Sequence, residues 1–333
     1  MSNNELNDAI VRTIIHNTPK SVKPVDYLSD ILALSRESVY RRIRKEIPFT
    51  VEELAKASVE MGFSIDKVIG EVKSDRLYFD MQSGWEEASN LYINTFETYN
   101  NHLEKLIEAK KSDAQLILNH IPPLFSIYSD DFFKYSYFKW KNEGIDSCSV
   151  KYHFSDLEIP LELLELRKRI IYNIQRIKNS TLILSPNIFL DVIKEIQYHY
   201  HKRLITKDEL ERLKKSILDI ISLSEIVAMN GGINPYVKTD IYLSRLYLST
   251  NILYTQYEEN IETHFWLYNT TPIIIRCSEI CEIQRNWLRT VKMYSTLISL
   301  SNEILQTAFF DKQKEYANQY LTPNNNDNHF NIL

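Results

Sequence analysis

Apolar residues near the start of the chain recur every three or four positions, which is the spacing of one face of a helix. Three such stripes consist of Leu6, Ala9, Ile10 and Ile14, of Leu28, Ile31 and Leu32, and of Val39 and Ile43. A fourth stripe, Leu54, Ala57, Ser58 and Met61, follows Thr50-Val51-Glu52-Glu53, which has the residue order of a capping box. Gly62 stands where a left-handed C-cap ends such a helix. The pattern predicts a small all-helical domain over residues 1–70.

The segment that joins the second and fourth stripes is strongly basic. Ser35 can accept a backbone N–H and start a helix, on which Val39 and Ile43 share one inward face. From Arg36 to Lys45 the chain has five basic residues and one acidic residue. Two short helices joined by about three residues, the second one basic, suit docking in the major groove of DNA. The groove admits one helix, whose long donor side chains then reach base edges and phosphates.

Residues 6–70 resemble the helix-turn-helix domain of the Cro and phage-repressor (Xre-type) regulators, an all-α, lambda-repressor-like fold. The resemblance lies in Leu28-Ser29-Asp30-Ile31-Leu32-Ala33-Leu34-Ser35-Arg36-Glu37-Ser38-Val39, in Phe49-Thr50-Val51-Glu52-Glu53-Leu54-Ala55 and in Met61-Gly62-Phe63-Ser64-Ile65-Asp66. The family usually has Gly just after its recognition helix, whereas this chain has Arg44-Lys45-Glu46-Ile47-Pro48.

The resemblance implies that the helix beginning at Ser35 is the recognition helix. It implies that Arg36, Glu37 and Arg41 face bases. Tyr40, Arg42, Arg44 and Lys45 would then lie nearer the phosphates. The predicted DNA-binding set is Ser35, Arg36, Glu37, Ser38, Tyr40, Arg41, Arg42, Arg44 and Lys45.

In the rest of the chain, some segments have apolar residues at helical spacing and others have them at alternate positions. We predict a linker at 71–75, a helix-rich α+β region with a small sheet at 76–322, and a disordered Asn-rich tail at 323–333. Helical spacing predicts helices at 130–141, 158–178, 186–202, 207–229 and 279–320, with Ser185 and Pro186 opening the third of these. Extended or alternating patterns predict strands at 114–125, 237–248, 252–257 and 264–275. The fold class expected is mainly α.

Composition narrows the function classes. The 333-residue chain has a net charge of −5, so DNA contact must be local, as the basic segment is. We expect a cytoplasmic protein, because no run of 18 apolar residues and no signal-peptide order occurs, and because three cysteines suit a reducing compartment. The six glycines form no dinucleotide-binding or P-loop motif.

Candidate chemistry is sparse. Cys277 and Cys281 lie one helical turn apart with His264 upstream, but a zinc site needs three or four tetrahedral ligands, so we interpret both as buried thiols. His199 and His201 would diverge on a helix, and we interpret them as surface residues. Asp130-Asp131 suits a helix start. We therefore expect no enzyme, no catalytic residues, no cofactor and no metal.

The function predicted is that of a bacterial, sequence-specific transcriptional regulator that binds double-stranded DNA. The region after residue 75 is expected to form a homodimer and to sense an unknown small-molecule or peptide effector. Its last helical pattern, Ile280, Trp287, Val291, Tyr294, Ile298, Leu305 and Ala308, could pack within the chain or against a second subunit. Two alternatives stay open: that the C-terminal region is a peptide- or protein-binding module, and that it is an enzyme which the first domain targets to DNA.

Overall fold

The computed structural model of the chain describes residues 3–19, 22–65, 68–69, 88–143, 151–267 and 271–323. The chain divides into two compact units, Met1–Asp80 and Met81–Leu333. The predicted linker at 71–75 and residues 324–333 of the predicted tail lie outside the described residues.

The first unit contains four helices in its described part: α1 (Asn3–Asn17), α2 (Pro24–Leu32), α3 (Arg36–Ile43) and α4 (Val51–Met61). Helix α4 begins with the predicted capping box, in which Thr50 and Glu53 each bond the other's backbone N–H. It ends at Gly62, whose φ of 67° is left-handed as predicted. Ile14, Leu28, Val39 and Ala57 are completely buried, so each predicted apolar stripe contributes to one core.

The second unit contains seven further helices and a seven-stranded sheet among its described residues. The helices before the third strand are α5 (Ala88–Glu108), a 3₁₀ turn (Pro123–Tyr128), α6 (Asp130–Glu143), α7 (Leu161–Ile174), α8 (Leu190–His201) and α9 (Lys207–Asn230). The last two helices are α10 (Ser278–Met293) and α11 (Glu303–Tyr320). The strands are β1 (Ser112–Leu118), β2 (Asn179–Leu184), β3 (Lys238–Ser244), β4 (Ile252–Tyr257), β5 (Asn260–Leu267), β6 (Thr271–Ile275) and β7 (Ser295–Leu297).

The sheet has the strand order β6-β5-β4-β1-β2-β3-β7. Its centre is parallel, because β1, β2 and β3 run the same way and are joined by helical crossovers. Strands β4, β5 and β6 extend one side as an antiparallel meander, and β7 pairs antiparallel with β3 at the other edge.

Alternate residues of the central strands supply two hydrophobic cores. Leu118, Leu184 and Ile241 join one large cluster with side chains of α6, α8, α9 and α11. Ile117 and Ile183 lie on the opposite face, in a cluster that includes Leu288 and Val291 of α10. The short apolar runs of β1 and β2 are explained by this burial on both faces.

The predicted fold class is confirmed: a helical N-terminal unit precedes a helix-rich α+β region with a mixed sheet. The helices expected at 130–141 and 207–229 are present, the second with its Thr206–Glu209 capping box. The apolar segment at 114–125 divides into β1 and the 3₁₀ turn. The alternating segment at 264–275 spans parts of two strands, β5 and β6.

Three predictions were wrong in detail. The helix expected at 279–320 is interrupted, because Ser295–Leu297 pairs with β3 before α11 begins at Glu303. Helix α8 begins at Leu190, since residues 186–189 form a turn rather than the first helical residues after a Ser185 cap. His199 is buried, with 5% of its surface exposed, because α8 turns it toward Tyr135 of α6.

The predictions for the two cysteines had different outcomes. Cys281 is buried as expected, whereas Cys277 is exposed because it precedes α10 as its N-cap. Among the described residues no helix is both long enough and apolar enough to cross a lipid bilayer.

Candidate nucleic-acid interface

The turn between α2 and α3 consists of Ala33, Leu34 and Ser35. Ala33 has a φ of 53°, a left-handed conformation that stops α2. The Ser29 hydroxyl donates to the Leu34 carbonyl at 2.5 Å, and the Leu34 N–H donates to the Ser29 carbonyl at 3.2 Å. Ser35 then caps α3, because its hydroxyl accepts the Ser38 N–H at 3.3 Å. These bonds fix the direction in which α3 leaves the turn.

Helix α3 has one buried face and one exposed face. Val39 is completely buried and Ile43 packs against the same core. Arg36, Glu37, Tyr40, Arg41 and Arg44 are all exposed. Their spacing of i, i+1, i+4, i+5 and i+8 places them on one continuous arc of the helix. The structure therefore brings most of the predicted contact residues onto a single surface, which we call the α3 face.

Two arginines of the α3 face form exposed ion pairs. Arg36 lies 2.9 Å from Asp26, and its side chain is 71% exposed. Arg41 lies 3.4 Å from Glu46, and both side chains are about half exposed. Ion pairs this open contribute about 0–1 kcal/mol, so either arginine can exchange its carboxylate for a phosphate or a base at little cost.

Arg44 and Tyr40 form a stacked pair on the same face. The Arg44 guanidinium carbon lies 5.6 Å from the centre of the Tyr40 ring, a cation–π distance. The pair combines a positive charge with an exposed aromatic residue, since Tyr40 is 43% exposed.

Arg42 is held inside the unit. Its Nε and Nη2 donate to the two carboxylate oxygens of Glu53 at 2.8 and 2.6 Å, and its Nη1 donates to the Ser38 carbonyl at 3.0 Å. The two charged side chains are only 12% and 14% exposed. Arg42 therefore ties α3 to α4, and we remove it from the residues predicted to lie near phosphates.

Lys45 ends the basic segment in a conformation that usually favours glycine. Its φ is 65°, in the left-handed region of the backbone. The backbone turns there, since Glu46 and Ile47 both donate N–H groups to the Arg41 carbonyl. The Lys45 ammonium pairs with Asp8 of α1, and both side chains are 44% exposed. Lys45 thus lies beside α3 but is shared with α1.

Ser35 and Ser38 act mainly as structural residues. The Ser35 hydroxyl donates to the Ser38 hydroxyl at 3.1 Å in addition to capping α3. Ser35 is exposed and Ser38 is half-buried.

A second cluster of chemically capable residues lies in the other unit, and sequence analysis missed it. His102, Glu262 and His264 are all buried and place their ligating atoms within 4.8 Å of one another. Glu262 and His264 alternate on β5, which puts them on one face, but only the fold brings His102 of α5 to them. The sequence suggested Cys281 as a neighbour of His264. Cys281 of α10 instead contacts Thr263, whose side chain is on the opposite face of β5.

Comparisons of the chain with protein-family models, with curated proteins and with solved structures find no match.

Proposed function

We propose that the chain is a bacterial, cytoplasmic transcriptional regulator that binds double-stranded DNA by placing α3 in the major groove. The observation that carries the proposal is the α3 face: three arginines and a tyrosine exposed on one side of a short helix whose other side is anchored by Val39. The neighbouring turn and capping bonds hold that helix rigidly, as a base-reading element requires.

The residues of the α3 face divide into two roles. Arg36 and Arg41, with Glu37, reach base edges in the proposed complex, where a bidentate arginine favours guanine and a carboxylate favours cytosine. Arg44 and Tyr40 contact the phosphate backbone and set the register of the helix without selecting sequence. Lys45 adds a phosphate contact if it exchanges Asp8 for the nucleic acid.

The proposed complex includes two copies of the chain. A single eight-residue helix covers few base pairs, whereas a dimer binds two half-sites about 34 Å apart and combines their binding energies. We assign dimerisation and sensing of a small-molecule or peptide effector to the second unit. Helix α10 supports this assignment, because it exposes Ile283 and Trp287, one helical turn apart, while burying Leu288 and Val291.

The test is a binding titration at fixed salt with a duplex that the wild-type protein has enriched from a random library. Arg36→Ala and Arg41→Ala should each weaken binding by about 1–3 kcal/mol and relax the preference for one base pair. The matched control is Arg169→Ala, an exposed arginine of α7 in the other unit, which should bind as the wild type does. Equal affinity of all four proteins would show that the α3 face does not contact DNA.

A further inference from the structure

His102, Glu262 and His264 form a buried cluster where α5 packs on the outer part of the sheet. His102 comes from α5, and the other two residues come from β5. Their exposed fractions are 6%, 3% and 1%, respectively. Buried charges and imidazoles are costly unless they are paired or bind a metal, so this group needs a physical explanation.

The two carboxylate oxygens of Glu262 have different surroundings. Oε1 accepts the Tyr257 hydroxyl at 2.7 Å and the Arg276 Nε at 2.9 Å, both strong hydrogen bonds. Oε2 faces His102 Nδ1 at 3.4 Å and His264 Nε2 at 3.3 Å. One oxygen is thus held in place, and the other is presented to two imidazoles.

The two contacts of Oε2 are longer than a usual charge-assisted hydrogen bond, and the one with His264 Nε2, at 3.3 Å, has the geometry of a weak hydrogen bond. A charge-assisted N–H···O⁻ bond is about 2.7–2.9 Å long. Ligand atoms that lie about 2.0–2.2 Å from a tetrahedral zinc ion are separated from one another by about 3.3–3.5 Å. The distances from Oε2 to His102 Nδ1 and His264 Nε2 match two edges of that tetrahedron, and all three ligand atoms lie within 4.8 Å of one another.

The hydrogen bonds around the cluster orient its rings. The second nitrogen of His102, Nε2, lies 3.1 Å from the Thr255 hydroxyl, which fixes the ring and leaves Nδ1 directed at Oε2. The His264 Nδ1 is buried and has no hydrogen-bond partner among the described residues. A metal-bound imidazole usually donates its other N–H to a partner, and His102 has such a bond to Thr255 whereas His264 Nδ1 does not.

We infer that His102, Glu262 and His264 bind one divalent transition-metal ion of the zinc type, through His102 Nδ1, Glu262 Oε2 and His264 Nε2. The ligand set of two imidazoles and one carboxylate suits zinc and cobalt. The ion links α5 to β5 and so stabilises the outer part of the sheet. This inference reverses the sequence-based expectation of a protein without a metal, and it is independent of DNA binding.

The test uses the full-length chain without a histidine tag, stripped with a chelator and then dialysed against Zn²⁺ or Co²⁺. Elemental analysis should find about one ion per chain. Co²⁺ should give the visible absorption of a tetrahedral nitrogen- and oxygen-ligated site, and Zn²⁺ should raise the melting temperature of the stripped protein, because an ion that binds only the folded state stabilises it.

Matched variants separate metal binding from ordinary packing. Glu262→Gln and His264→Asn should lose stoichiometric uptake, whereas His199→Asn, which changes another buried histidine of the same unit, should keep it. Absence of bound metal in the wild type, or equal uptake in all variants, would overturn the inference. If the cluster variants fail to fold, the wild-type Co²⁺ spectrum decides alone, since lack of a tetrahedral band also contradicts the site.

Discussion

Arg41 and Arg42 are adjacent in sequence, yet the structure uses them in opposite ways. Arg41 is half exposed beside Glu46, and Arg42 is closed into a two-point ion pair with Glu53. The difference follows from helical geometry, since a step of one residue rotates the side chain by about 100° and takes it from the exposed arc to the face of α4. The sequence alone predicts that both arginines contact DNA, because their side chains are chemically identical.

Removing Arg42 should destabilise the first unit rather than weaken DNA binding directly. Arg42→Ala leaves the part-buried Glu53 carboxylate without its partner, which costs about 1–3 kcal/mol. Denaturant unfolding of the full chain measures the loss, and Arg44→Ala, on the exposed face, should stay within about 0.5 kcal/mol of the wild type. Equal stability of the two variants would contradict the structural role of Arg42.

The same ion pair has a defined pH dependence. Burial acts to raise the pKa of Glu53, but the hydrogen bonds from Arg42 and the Thr50 backbone lower it below the ordinary value of 4.5. Because the folded pKa is depressed, the stabilisation is present above pH 4.5 and is lost as the pH falls through the folded pKa.

His199 gives the second unit a sensitivity to mild acid. It is buried, and its Nδ1 lies 3.0 Å from the Tyr135 hydroxyl. Burial lowers its pKa to about 4, and Lys139 and Lys151 act in the same direction. Between pH 6.5 and about 4 the unfolded chain therefore binds a proton that the folded chain does not, so stability falls as the pH falls through this range.

We predict that His199→Gln removes part of this slope. The wild type should lose about 2–3 kcal/mol of unfolding free energy through this residue between pH 6.5 and pH 4. Urea titrations at several pH values measure the slope, with His201→Gln, an exposed neighbour on α8, as the matched control. A wild-type slope in the His199 variant would show that this histidine does not titrate as described.

At the scale of elements, the first unit could be predicted well because its signals are local. The Thr50–Glu53 capping box, the Ser35 cap and the left-handed Gly62 depend on residues within one turn of each other. The break between α10 and α11 could not be predicted, because Ser295–Leu297 becomes a strand only by pairing with Tyr242–Ser244 far along the chain. The buried cluster could not be predicted for the same reason, since only the tertiary fold brings His102 to β5.

The last helical pattern shows the limit at individual positions. Val291 and Ile298 are completely buried as an inward face requires, but Trp287 and Tyr294 are 44% and 55% exposed. The inward face of α10 is instead Cys281, Gln284, Leu288 and Val291. The buried face of α10 therefore lies at a different angle around the helix from the predicted stripe, because the prediction counted the aromatic residues as core.

The turn between α2 and α3 makes a prediction of its own. Ala33 has a left-handed φ of 53°, which costs an alanine about 1–2 kcal/mol. Ala33→Gly relieves that cost and loses about 0.4–1 kcal/mol through the greater freedom of the unfolded chain, so a net gain of about 0.5–1 kcal/mol is expected. Ala55→Gly, at an exposed position inside α4, should instead lose about 1 kcal/mol. A loss of stability in both variants, measured by denaturant unfolding, would contradict the turn geometry.

At the scale of the whole molecule, the two proposed functions belong to different units. The first presents the α3 face for DNA, and the second contains the sheet, the proposed metal ion and the surface assigned to dimerisation. Neither proposal requires the other: loss of the metal need not abolish DNA binding, and loss of the arginines should leave metal content unchanged. Measuring both properties on each variant therefore shows which proposal an unexpected result affects.

The central claim is that the α3 face selects a DNA sequence. The most direct measurement is selection of duplexes from a random library by the wild-type protein and by an Arg36→Ala, Arg41→Ala double variant whose fold is verified by circular dichroism. The wild type should enrich one defined motif, and the double variant should enrich none. Enrichment of the same motif to the same degree by both proteins would contradict the claim.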